Sequence, residues 1–196
     1  MTEVLSSVEQ FHGHVITVRT DEVRLSSGAV VHRDVVVHPG AVGIVALDDR
    51  GRVALLEQWR QPVGQRLWEL PAGLLDVPGE RAQIAAAREL VEEAGLVAEE
   101  WHTLVDTLSS PGMTDEATRI FLARGLRTVD RPPAEAEEAD LVLRWVPLQH
   151  AVDEVLDGTL RNAMACVGVL AAARYVDGLA VPLRPPDAPW ADRPTR

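Results

Sequence analysis

The chain has 196 residues and a mass of 21.4 kDa, enough for one domain with a small appendage and too little for a multidomain machine. Its 30 acidic and 19 basic residues give a net charge of −11, which speaks against nucleic acid or an anionic membrane as partner. All the basic residues are arginine, so a Walker-type phosphate loop, a Schiff-base lysine and a pyridoxal-phosphate anchor are excluded.

The N-terminal MTEVLSSVEQ has neither a basic start nor an apolar stretch, and no window approaches the roughly 18 apolar residues of a membrane span. With Cys166 as the one cysteine, no internal disulfide can form, and the expected location is the cytoplasm. Residues 14–38 alternate apolar and polar positions between turn signals, which predicts short antiparallel strands and marks 1–38 as a β subdomain. VGIVAL (42–47) and RVALLEQW (52–59) predict two strands joined by Asp48-Asp49-Arg50-Gly51, opening the main sheet. The proline-bearing segment after them reads as loop. Residues 80–94 are good helix formers that stop at Gly95. Strands are expected at 101–108, 118–124 and 141–146, an exposed loop at 130–140, and helices at about 148–157 and 161–176. Five prolines in the last sixteen residues predict a tail, 181–196, that is flexible or docked, leaving 39–180 as the main domain.

The segment 79–96, GERAQIAAARELVEEAGL, is the most informative. At about 100° per residue, Glu89, Glu92 and Glu93 share one helical face within a roughly 100° arc. Like charges at this spacing destabilise a helix, and the last turn, where Glu92 and Glu93 sit, disfavours anions. A hard divalent cation such as Mg²⁺ reverses that sign, because it takes carboxylate oxygens and leaves places for water and phosphate. The plain alternative is a solvated acidic face. Arg88 beside Glu89, and the glycines and Glu80 ahead of the helix, weigh against it.

From Glu80 the run continues with seven residues and then Arg88, Glu89, Leu90, Val91, Glu92, Glu93, Ala94, Gly95, Leu96, which resembles the Nudix signature throughout. One departure stands ahead of it: six residues separate Gly73 from Glu80 where the general pattern has five. The flanks EQWRQPVG (57–64), LWELPAGLLD (67–76) and Pro111, sixteen residues after Gly95, resemble the ADP-ribose pyrophosphatase branch of that family.

The resemblance implies an α/β fold, a Nudix α/β/α sandwich with a mixed sheet and a small N-terminal antiparallel β subdomain that serves dimerisation. It implies Mg²⁺-dependent (or Mn²⁺-dependent) hydrolysis of the ADP-ribose diphosphate to AMP and ribose 5-phosphate by a cytoplasmic homodimer. The metal ligands would be Glu89, Glu92, Glu93 and the Ala72 carbonyl; Arg60, Glu69, Leu74, Gly112 and Glu116 would line the substrate site, with Arg33 reaching toward a partner subunit. The base would come from the 132–148 loop, Glu138 first and Glu137 next, alongside Glu92. Another nucleotide sugar, a dinucleotide, or a silent nucleotide sensor are the alternative readings.

Overall fold

The computed structural model describes residues 1–133, 140–178 and 181–194. The chain opens with β1 (Glu3–His12), β2 (Thr17–Arg24) and β3 (Val30–Val37), an antiparallel sheet in that order. The expected strands are there, and β1 extends the sheet to the N-terminus. Every residue of β1 is exposed, so no buried face imposes an alternation that the sequence could display.

Ten strands and three helices follow one another in the described residues, and the remaining seven strands form two sheets. β4 (Ala41–Ala46) and β9 (Ala117–Thr128) run parallel at the centre of a mixed sheet, with β7 (Ala72–Leu74) beyond β4 and β8 (Leu96–Leu108) beyond β9. β5 (Arg52–Arg60) lies between β6 (Gln65–Glu69) and β10 (Val142–Pro147) in an antiparallel sheet. The turn between β4 and β5 forms as expected, with Asp48 Oδ1 accepting from the N–H groups of Arg50 and Arg52. The two strands nevertheless part into different sheets after the bridge Leu47–Val53. All of β4 and the stretch Val53–Leu56 of β5 are buried and apolar, so each needs cover on both faces there, which a simple hairpin cannot provide.

Alternation along β4 and β9 distributes the core between two layers. Ile44, Phe121 and Ala123 pack toward α1 (Ala82–Ala94), where Ala82, Ala85, Ala86 and Leu90 face them. Val45, Ile120 and Leu122 pack toward α2 (Leu148–Asp157) and α3 (Ala163–Val176), through Ala151, Ala165, Val169 and Ala172. This is an α/β/α sandwich. The small residues permit close approach: a Cβ on Gly43 would overlap Met164 at the start of α3.

Where prolines predict a loop after β5, the structure holds a 3-10 turn (Gln61–Val63), β6 and β7. Pro62 stands in the first positions of the turn, where it costs no hydrogen bond. Pro71 lies between the strands and uses its carbonyl, which accepts from Ile44 N–H at 2.9 Å. The proline-rich tail is docked: Thr103 and Arg184 form a bridge, and Ala188 is buried.

Candidate active site

The site begins with the end of α1. Gly95 adopts the left-handed conformation (φ 63°) and returns its N–H to Val91 O at 3.0 Å, closing the helix just beyond Glu92 and Glu93. Arg88 gathers the acidic groups. Its Nη1 donates to Glu89 Oε1 at 2.7 Å and to Glu92 Oε2 at 2.9 Å, while Nε and Nη2 reach the two oxygens of Glu80 at 3.3 and 3.2 Å. The hydrogen bonds with Glu80 lead the causes that hold this guanidinium above its ordinary pKa, followed against burial by the charge of Glu89 and the bonds to Glu92 and Glu89. One cation thus offsets the repulsion among three carboxylates.

Glu93 is 8% exposed and accepts a hydrogen bond from the Ala72 N–H at 2.9 Å. Ala72 and Gly73 belong to β7, which pairs with Gly43 and Val42 of β4, so the central sheet fixes this short backbone against the helix. Gly73 backs directly onto Glu89: a Cβ there would overlap the Glu89 carboxyl. The same two residues therefore contact Glu93 on one side and Glu89 on the other. The extra residue between Gly73 and Glu80 is absorbed in the loop 75–81, where Glu80 N–H bonds Val77 O at 3.1 Å and Gly79 takes φ 77°. Glu80 still reaches Arg88, so the insertion leaves the helical face intact.

Above this backbone opens a cleft of about 530 Å³, lined among others by Arg60, Glu69, Ala72, Gly73, Leu74 and Glu116. Glu69 is 2% exposed, and a carboxylate so buried requires partners. Arg60 supplies them in a fork, Nε to Oε1 at 3.0 Å and Nη2 to Oε2 at 2.7 Å, with Gln58 Nε2 at 3.5 Å. A neighbouring cleft of about 610 Å³ is lined by Arg33, Pro111, Gly112, Met113, Thr114 and Asp115 together with Val35, Leu108 and Asp192. The loop from Ser109 to Glu116 borders both, since Ser109 and Glu116 face the first.

The structure therefore brings together Ala72, Glu89 and Glu93, with Glu92 held to Glu89 through Arg88. It gathers Arg60, Glu69, Leu74 and Glu116 in one cleft, and places Arg33 and Gly112 in the next. Glu137 and Glu138 lie outside the described residues. Glu89 and Glu92 are turned to Arg88, and among the described residues no three acidic, histidine or cysteine side chains are drawn together tightly enough to hold an ion. The donor set is nevertheless suited to a hard cation, being carboxylate oxygen beside a backbone that only glycine lets approach Glu89.

Sequence reasoning missed His38, Ser109, Asn162 and Met164, which also line the first cleft. Asn162 is legible as a helix cap, and its Oδ1 does accept from Ala165 N–H at 2.9 Å, but nothing in the sequence says that α3 begins at the cleft.

The NUDIX domain family matches residues 37–165. An ADP-ribose pyrophosphatase of Mycobacterium tuberculosis is 49% identical over 193 residues, covering 98% of this chain and 93% of the relative. An ADP-ribose pyrophosphatase of Bacillus subtilis is 32% identical, covering 84% of this chain and 82% of its own. A crystal structure described as an ADP compounds hydrolase superposes with a TM-score of 0.78 at 22% identity, over 90% of this chain and 95% of that one, and shows the same fold.

Proposed function

This chain belongs to the Nudix family, and we propose that it hydrolyses the diphosphate of ADP-ribose to AMP and ribose 5-phosphate, with Mg²⁺, or Mn²⁺ in its place, as the cation. The observation that carries this reading is the backbone of Ala72 and Gly73, set against both Glu93 and Glu89 beside the Arg60–Glu69 cleft. The two pyrophosphatase relatives support the choice of substrate.

Glu89, Glu92, Glu93 and the Ala72 carbonyl would hold the cation, which supplies neutralisation of the diphosphate and activation of water. To hold it, Glu89 and Glu92 would have to exchange their bonds to Arg88 for the cation. Glu93 is held in place by the Ala72 N–H, and Arg60, whose fork on Glu69 fixes its orientation, would contact the diphosphate or terminal ribose. Leu74, Glu116 and Gly112 shape the substrate site. The carboxylate of Glu138, or of Glu137, takes the proton of the attacking water as the phosphoric anhydride bond breaks.

Residues 1–38 serve as the dimerisation piece, 39–180 as the hydrolase domain and 181–196 as the tail. The exposed Val4, Leu5, Val8 and Phe11 of β1 support a homodimer, in which Arg33 reaches the partner's site. A monomer mass in solution at micromolar concentration contradicts this. No helix among the described residues is long and apolar enough to cross a membrane; together with the lone cysteine this supports a cytoplasmic location.

The purified protein, incubated with Mg²⁺ and a panel of nucleoside diphosphate derivatives, tests the reading by AMP release. Preference for ADP-ribose is the expected result. Preference for another nucleotide sugar or a dinucleotide changes the substrate, and binding without turnover makes the domain a sensor.

A further inference from the structure

We propose that the tail from Ala188 to Pro194 is a strap that positions the loop 75–81, with Arg193 as the positioning residue; the consequence for the cation site rests on the function proposed above. The strap is anchored by Arg119 of β9, which is 2% exposed. A guanidinium buried in a sheet is costly unless its donors are met. Asp106 accepts from Nε at 2.7 Å and from Nη2 at 3.0 Å, while the tail provides Ala188 O to Nη1 at 2.7 Å and Pro189 O to Nη2 at 3.1 Å. The guanidinium also lies 4.8 Å from the centre of the Trp190 ring, which packs on the α1 side of the core.

From that anchor the last residues reach one end of the loop directly and the other through Gly40. Arg193 Nη2 donates to the backbone carbonyl of Glu80 at 2.5 Å. Pro194 lies against Gly40, where an added Cβ would come within 3.1 Å of its ring, and Gly40 O accepts the N–H of Leu75 at 3.0 Å. The Glu80 carboxylate in turn holds Arg88, which holds Glu89 and Glu92. A displacement of the Glu80 backbone is therefore passed through one guanidinium to two of the carboxylates that would hold the cation. Arg193 touches none of them and acts through Glu80.

Three readouts on the full-length protein test this: Mn²⁺ binding without nucleotide, amide hydrogen exchange over 75–81, and AMP release from ADP-ribose. Arg193→Ala is expected to speed exchange in 75–81 and to raise the Mn²⁺ half-saturation about fivefold, the equilibrium equivalent of one hydrogen bond. Arg193→Lys, which keeps a charged donor group, should restore most of both. Removal of residues 193–196, which spares Arg119 and Trp190 but also takes away Pro194, should change both readouts at least as much as Arg193→Ala and decides the matter if that variant fails to fold. Wild-type exchange and Mn²⁺ half-saturation in both variants would overturn the strap. Absence of AMP release from the wild-type protein would instead overturn the proposed substrate, while the first two readouts still judge the tail.

Discussion

Gly73 sits so close to Glu89 that a Cβ at residue 73 would overlap the Cδ and Oε1 of the carboxyl group. The strand β7 is thereby allowed to lie on the acidic face of α1 with no side chain between them. Gly73→Ala should push Glu89 aside or lift β7 from β4, and steady-state assays should show activity reduced by about 10–100-fold, as for displaced groups supporting a metal site. The stability cost should stay near 1–3 kcal/mol, the usual penalty of overpacking, as read by thermal unfolding. Near-wild-type turnover in the alanine variant would show that Glu89 need not sit where it does.

Glu93 accepts a hydrogen bond from the backbone N–H of Ala72, whereas Glu89 and Glu92 accept from Arg88. Glu93→Gln keeps an acceptor for Ala72 while removing the charge, so the fold should survive with a melting temperature close to wild type. Turnover should fall and the divalent-cation requirement should rise. Unchanged cation dependence in that variant contradicts the ligand assignment.

Much of this was legible because local chemistry and fold agree over the signature. The helix formers of residues 80–94 and the stop at Gly95 define α1 without any tertiary information, and the helix observed is Ala82–Ala94. The cleft residues Arg60, Glu69 and Glu116 came from resemblance and do share a cleft. What escaped depends on distant partners. β7 is three residues long and exists because β4 offers it an edge. The parting of β4 and β5 into two sheets is decided by the layers that cover them. The docking of the tail is set by Arg119, an arginine at a buried strand position that its own neighbours do not single out.

Asp106 supplies a pH-dependent anchor for that tail. Burial pushes its carboxyl up, but the hydrogen bonds and charges of Arg119 and Arg184 outweigh this and hold it below the ordinary value of 3.8. A carboxylate lowered in the folded state contributes fully above the unfolded pKa and loses that contribution as pH falls through the folded one. Asp106→Asn should therefore cost roughly 1–2 kcal/mol at neutral pH, the worth of a charge-assisted hydrogen bond discounted for its partial exposure. Urea unfolding at several pH values should show wild type and variant converging below pH 3.8. A constant difference across the acid range would remove the charge from the explanation.

We propose that the base is one of the glutamates between β9 and β10 in the sequence, Glu138 ahead of Glu137. A carboxylate that only moves a proton contributes to the transition state and little to ground-state binding, which separates it from the residues on α1. Glu138→Gln should lower kcat by about 10²–10⁴-fold with KM and cation half-saturation near wild type. Glu137→Gln, one residue earlier, should lose far less if Glu138 carries the role. A reversed ranking assigns the proton to Glu137, and a loss below about tenfold in both places it outside this pair, since general-base catalysis is typically worth more than that.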